Sequence, residues 1–273
     1  MPEKTMAAKR SLPKVTIVTP SYNQAQYIER TINSIQMQDY PNIEHIVIDG
    51  KSTDGTVEIL KKYPKMRWVS EKDGGHSNAM NKGFRMAKGE IIGWMNSDDT
   101  YCEGAVRAAA DYFIGHPDVD IIYSRVNVID ENDRKIGEHA LLPYNQFIQI
   151  NVTNCVPQQG VFFRKKLLSE IGYIDEGLKY VMDYEFWIRI GQKKKIVLIP
   201  GIYSNFRIAK GTKTAEKYDA FFDEILAVNR KYGGFPYIWM SVRAMRRIAA
   251  RLGLLGAVRG LKNGIFSLAK KGG

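Results

Sequence analysis

Two adjacent acids, Asp98 and Asp99, close the apolar run Ile91-Ile92-Gly93-Trp94-Met95 through the link Asn96-Ser97. Neighbouring carboxylates repel each other and hydrate well, so their place at the end of a buried segment asks for a use. One use is a hard divalent cation. Mg²⁺ or Mn²⁺ prefers oxygen ligands and takes one or two carboxylates, with substrate phosphates completing its shell. The other is a polar turn that caps a helix near Glu103, and the pair by itself leaves both open. Two more apolar runs end in polar clusters: "TPSYNQ" at 19–24, with Pro20 and Tyr22, and "DGKSTDGT" at 49–56, led by Asp49. With "NSDDT" at 96–100, which adds Ser97, three such ends could meet at one edge. His76 has no His or carboxylate at ligand spacing, and no Ser/His/Asp or Cys/His set suggests a covalent nucleophile.

The elements that must position these groups follow from periodicity. "KVTIVTP" (14–20), "EHIVIDG" (44–50), "MRWVSE" (66–71) and "EIIGWM" (90–95) read as strands. They alternate with helical segments at 25–38, after residue 53, and at 77–89. Thr53 or Asp54 could cap the second of these. Such βαβ order implies an α/β fold with parallel pairing, and ligands of open α/β sheets gather beyond the carboxyl ends of the strands. After residue 104 the pattern becomes mixed: helix at 104–115, a strand and return through 118–137, an irregular stretch, and a strand at 158–164. Helices at 165–170 and 183–192, two strands in "KKIVLIP" and "IYSNFRI", and a helix at 214–233 complete the body.

Three stretches in order carry a resemblance: "VTIVTPSYNQAQYIERTINSIQMQDYPNIEHIVIDGKSTDGT", "DGGHSNAMNKGFRMAKGEIIGWMNSDD" and "MDYEFWIRI". Together they resemble the motifs of family 2 glycosyltransferases over roughly residues 14 to 210. The resemblance implies a GT-A fold, a single Rossmann-like mixed sheet flanked by helices. It also implies a nucleoside-diphosphate sugar donor, a divalent cation (Mn or Mg) and inversion at the anomeric carbon. Carried over, Pro20 and Tyr22 line the nucleotide cleft, and Asp49 matches the acid that meets the base. A carboxylate there accepts the imide N–H of uracil or thymine, which cytosine lacks, so a UDP- or dTDP-linked donor is expected. A second acid commonly follows in the family, whereas here Gly50 stands. Asp98 matches the metal-binding acid, with Asp99 beside it and Asn96 where the motif usually has its first acid. Asp73, Asn78, Lys82 and Ser97 are further nucleotide candidates, although Lys82 also fits an exposed helix lysine. Asp183 takes the position of the catalytic base, flanked by Glu185 and Trp187, with Met182 where an acid is common; helix capping is its bland alternative. Gln158 and Gln159 match the acceptor side or simply satisfy a strand start. Arg207 and Lys213 fall where a mobile loop could close over the diphosphate.

Length and charge set the frame. At 273 residues with 44% hydrophobic residues the chain can bury a sizeable core. Cys102 and Cys155 form no framework, which fits a reducing compartment. No run approaches a spanning helix, and no secretory leader is expected. The net charge is +11, but ten basic residues and no acid follow Glu224, leaving +1 for the rest. The basicity belongs to a tail, so nucleic acid is not the expected partner. Residues 1–12 read as a flexible N-terminus and 13–235 as the catalytic domain, with a nucleotide-binding half (13–100) and an acceptor half (101–215). Residues 236–273 read as a basic amphipathic helical tail, with Arg243, Arg247 and Arg251 every fourth residue. Such a tail suits an anionic membrane surface at ~1 kcal/mol per basic residue, or else packs on the body or a second subunit. The expectation is a cytoplasmic enzyme, peripheral on the inner face of the membrane, acting on a sugar or lipid-linked sugar acceptor in surface polysaccharide or glycolipid synthesis. The rivals are a nucleotidyltransferase, which would need basic residues near the first strand where "TPSYNQAQ" offers none, and a non-catalytic sugar-nucleotide-binding protein.

Overall fold

The computed structural model describes residues 12–208 and 218–251. Expectations for residues 1–11, for Lys213 and for the tail beyond Arg251 lie outside the described residues. The chain runs β1 (Val15–Ser21), α1 (Ile28–Gln36), β2 (Ile43–Asp49), α2 (Thr56–Lys61), β3 (Arg67–Ser70), α3 (His76–Met86) and β4 (Ile91–Trp94). There follow β5 (Thr100–Tyr101), α4 (Ala105–Gly115), β6 (Ile121–Ile129), β7 (Lys135–Glu138), α5 (Gln146–Asn151), a 3-10 turn at Gln158–Gly160 and β8 (Phe162–Arg164). The remainder is α6 (Leu167–Ile171), α7 (Met182–Gly191), β9 (Ile196–Arg207), α8 (Tyr218–Lys231) and α9 (Pro236–Arg251).

The expected α/β sheet is present, with the order β3-β2-β1-β4-β8-β6-β9-β5 and β7 added to β6. β1 pairs in parallel with β2 and β4, and β2 with β3. β1, β4 and the second half of β2 are buried on both faces, which is why Val15, Ile17, Val18, Ile46, Val47 and Ile48 form nearly unbroken apolar runs. β8 then pairs antiparallel with β4, so the sheet becomes mixed where the pattern along the chain does. The carboxyl ends of β1, β2 and β4 share one edge, because Ser21 registers with Asp49 and Val18 with Trp94.

Two differences from the expected elements matter. The segments "KKIVLIP" and "IYSNFRI" are one strand, β9, carried through Gly201 at φ +107°, a conformation that favours glycine. The continuous strand delivers Arg207 beside the acids at the end of β4. Residues 146–151, in the stretch read as irregular, form α5, opened by Asn145 whose side chain accepts from Ile148 N–H.

Helix α3 needs the small residue Gly83 because Val18 of β1 fills the place a side chain would take. That close approach holds the amino end of α3 over the sheet edge. Beneath it lies an aromatic seam: Phe84 meets Trp94 and Phe163, and Trp94 meets Trp187 of α7 at 6.2 Å. Aromatic pairs of this kind contribute about 0.5–1.5 kcal/mol each beyond area burial. The seam joins the nucleotide-side strands to the helix that carries Asp183.

Candidate active site

The acidic turn after β4 is tied down from every side. Asp99, 1% exposed, accepts from Arg207 N–H at 2.9 Å and from Asn96 at 3.2 Å, and Gln159 bonds it as well. Its carbonyl accepts from Thr31 of α1 at 2.7 Å. Burial and then the neighbouring Asp98 charge push its carboxyl well above the usual carboxylate range, against these hydrogen bonds. Asp98 is half-buried at the same turn, and its carbonyl accepts from Arg207 Nε at 2.7 Å. Ser97 is buried between them and Asn96.

Arg207 is the residue whose role the sequence misplaced. Expected on a loop over the diphosphate, it ends β9 with 1% exposure and its guanidinium fully engaged. It bonds Asp98 O, Asp130 O at 2.9 Å and Asp133 at 2.5 Å, and lies 4.8 Å from the Tyr27 ring centre. Three segments, the acidic turn, α1 and the β6–β7 turn, are bolted together by one cation. No local pattern signals this, since the partners are 74 to 109 residues away.

The edge formed by β1 and β2 gathers the nucleotide candidates. Asp49 is fully buried and accepts from Ser52 N–H (2.9 Å), Ser52 Oγ (2.5 Å) and Ser70 Oγ (2.6 Å). Pro20 is buried one residue before Ser21, while Tyr22 stands 62% exposed. A Cβ on Gly50 would come within 3.1 Å of Asp73 Oδ2 and 3.3 Å of the Tyr22 ring. Gly50, the departure from the family pattern, therefore makes room for a carboxylate from another loop. Asp73 holds Gly75 N–H at 2.8 Å, and Asn78 spans Gly74 N–H and Glu176. Lys82 points away into an ion pair with Glu71 at 2.8 Å, the surface role that a helix lysine commonly has. His76 begins α3 with its ring 5.8 Å from Trp94.

Asp183 sits in the first turn of α7. Its carboxylate takes hydrogen bonds from its own and Tyr184 N–H, amides that a helix start leaves without partners, and from Asn154 at 3.1 Å. The capping reading is thus part of the truth. Burial nonetheless dominates those bonds and pushes its pKa up to about 6. The chain entering α7 is fixed by Glu224, which accepts from the successive N–H groups of Lys179, Tyr180 and Val181. Glu185 faces away and binds Arg189, Lys231 and Tyr232.

One short segment bridges both acids. Asn154 holds Asp183, Gln158 accepts from Asn96 at 2.8 Å and donates to Trp94 O at 2.6 Å, and Gln159 reaches Asp99. Asn154 to Gln159 is five residues, at most about 18 Å of extended chain, so the two acidic groups border one region. Gln158 and Gln159, matched above to the acceptor side, are struts of that bridge. Among the described residues no three His, Cys, Asp or Glu gather into a ready-made metal cage. The donor set is nevertheless the one a Mg²⁺- or Mn²⁺-diphosphate takes, oxygen-only and built around one or two carboxylates.

The Glycosyl transferase family 2 model matches residues 16–172, and the chain belongs to that family. Uncharacterized glycosyltransferases of Rickettsia conorii and Mycobacterium tuberculosis are 29% and 28% identical, each match covering 83% of the chain. The match takes in 41% of the former relative and 87% of the latter, so the chain spans about two fifths of the rickettsial protein. Among solved structures, S. aureus TarS residues 1–349 with UDP-GlcNAc superposes at a TM-score of 0.64 with 24% identity, over 79% of this chain and 65% of that one. A mannosyltransferase of Pyrobaculum calidifontis in complex with GDP-Man and Mn²⁺ superposes at 0.60 with 20% identity, over 94% and 80%. The fold is that of the GT-A glycosyltransferases.

Proposed function

We propose that the protein is an inverting, metal-dependent glycosyltransferase that moves a sugar from a UDP- or dTDP-linked donor to an acceptor hydroxyl. One observation carries the reading. Segment 154–159 hydrogen-bonds at one end to a carboxylate of raised pKa and at the other to a clamped acidic turn.

Each residue then has a task. Tyr22 and Asp73 form the exposed wall of the base slot, with Asp49 behind them orienting Ser52 and Ser70. Asp49 is the expected base contact, but it is fully buried with its oxygens taken by Ser52 and Ser70, so Asp73 is the acid that accepts the imide N–H of uracil or thymine. Asp98 offers its carboxylate where the donor diphosphate lies, with Asp99 holding the turn in shape. A Mn²⁺ or Mg²⁺ held by Asp98 supplies charge neutralisation for the departing diphosphate. Asp183, ionised above about pH 6, accepts the acceptor's proton as its oxygen attacks the anomeric carbon. A base with pKa near the working pH is well matched to that transfer, and a non-catalytic sugar-nucleotide binder would have no use for it.

The acceptor is a sugar or lipid-linked sugar at the inner face of the cytoplasmic membrane. Among the described residues no helix is long and apolar enough to cross a bilayer, and attachment rests on the basic C-terminal region. The Arg243 and Arg247 part of the stripe is used differently. Both pair with Asp219, and Arg243 also with Asp223, on α8. Metal-dependent hydrolysis or transfer of radiolabelled UDP-sugars tests the reading. Turnover requiring Mn²⁺ and abolished in Asp183→Asn supports it; nucleotide binding without turnover under any acceptor and metal would sink it.

A further inference from the structure

Roughly half of the exposed large apolar side chains among the described residues crowd onto α5, its exit and α9. Phe147 (54% exposed) and Phe235 (55%) lie 6.2 Å apart, and Val152 stands exposed at the end of α5. Along α9, Tyr237, Met240, Ala244 and Ile248 follow at helical spacing and are all exposed. The opposite face of α9 is already satisfied. Trp239 is buried against Tyr184 and Phe222 and donates to Ile150 O at 2.9 Å, and Arg243 is paired with α8. A surface helix ordinarily turns polar residues outward. Here the body takes one face and the outward face carries an apolar strip, flanked by exposed Ser241 and Arg247.

We propose that this aromatic–aliphatic strip is the surface by which the protein lies on an anionic bilayer, with the α5 exit setting the catalytic base beside the lipid–water boundary. The charge pattern chooses the occupant. No acid follows Glu224, and Arg259, Lys262, Lys270 and Lys271 come after α9. An apolar strip joined to a one-sign basic segment matches a bilayer carrying acidic headgroups, which rewards both at once. The strip is also tied to the site. Val152 is two residues, about 7 Å of extended chain, from Asn154, which holds Asp183. An acceptor displayed at the membrane surface would thus meet Asp183 without leaving the interface. This orientation rests on the transferase reading of the site, whereas the bilayer contact does not.

The test is sedimentation of the full chain with vesicles of phosphatidylcholine alone and of phosphatidylcholine mixed with phosphatidylglycerol. Wild type should bind the mixed vesicles in preference to the neutral ones. The triple variant Phe147→Ser, Phe235→Ser, Tyr237→Ser should lose at least about tenfold in partitioning, since three exposed aromatic side chains no longer leave water. Its fold is checked by circular dichroism and Tm, and its donor site by thermal shift with UDP and Mn²⁺, both expected unchanged. Wild-type partitioning by the triple variant overturns the proposal, as does a wild type that ignores mixed vesicles. A wild-type dimer that the triple variant converts to monomer also overturns it, making the strip an interface between copies. A wild type that binds vesicles but neither UDP nor any other nucleoside diphosphate sinks the transferase reading and leaves the surface assigned.

Discussion

The two acidic centres are built in opposite ways. At the end of β4, Asp99 and the backbone of Asp98 are held by Arg207, Asn96, Gln159 and Thr31, drawn from four separate parts of the chain. Asp183 has one side-chain partner, Asn154, and two amides of its own helix. Each carboxylate accepts three hydrogen bonds, but those on Asp99 reach in from distant segments whereas two of the three on Asp183 come from its own helix start. That difference matches the two jobs. A turn that must present negative charge to a cation and diphosphate needs fixed geometry, because repulsion between Asp98 and Asp99 would otherwise splay it. A base needs affinity for the proton it has to take, and at Asp183 burial outweighs the three hydrogen bonds that would lower it.

The largest effect should come from the second centre. Asp183→Asn is expected to lower kcat by about 10²–10⁴-fold, the range for a general base, with nucleotide binding kept. The pKa of about 6 lies above that of an unfolded aspartate, so the folded state holds the extra proton between about pH 4 and 6. Stability is therefore lost as pH rises through that window, and Asp183→Asn should melt higher than wild type at pH 8. Equal melting of the two at that pH would remove the burial argument. Wild-type kcat should rise with pH and level off above about 7. A profile flat from pH 5 to 8 would show that Asp183 is not the group whose ionisation limits turnover.

At the clamped centre, Asp98→Asn is expected to cost about 10²-fold in kcat/KM, comparable to losing one preorganised charge contact, and to raise the Mn²⁺ concentration needed. Arg207→Met should destabilise the fold by about 2–3 kcal/mol, since two half-buried carbonyls and the Asp133 carboxylate lose their donor at once. Half-saturating Mn²⁺ should rise with it. An unchanged metal requirement in a folded Arg207→Met would reduce Arg207 to a purely structural strut. The smallest effect belongs to Gly50→Ala, whose Cβ lands 3.1 Å from Asp73 Oδ2. Asp73 must give by a few tenths of an ångström, and KM for the donor should rise only a few-fold with kcat untouched. No change in KM would move the base contact away from Asp73.

Much of this was open to reading along the chain. The strand ends and the parallel half of the sheet follow from local periodicity, whereas Asp98 and Asp183 take their roles only through the motif resemblance. Local sequence carries such features because apolar alternation and turn chemistry act over a few residues. Arg207 and the role of Gln158 and Gln159 were not legible. A lone arginine after a strand looks the same whether it ends in solvent or in a buried clamp. The alpha-helical spacing of Arg243, Arg247 and Arg251 is real, yet the acids facing the first two sit on α8, a separate helix.

By itself the sequence determined that an open α/β sheet would bring polar strand ends to one edge, and that the carboxylates there could serve a sugar-nucleotide chemistry. Only the tertiary structure decided which acid is clamped by distant segments and which is held mainly by its own helix start. It also put Asp73 in the space Gly50 vacates and turned an apolar helix face outward. Partners from about 20 to more than 100 residues apart decide those outcomes, and burial shifts a carboxyl only once packing has removed the water around it.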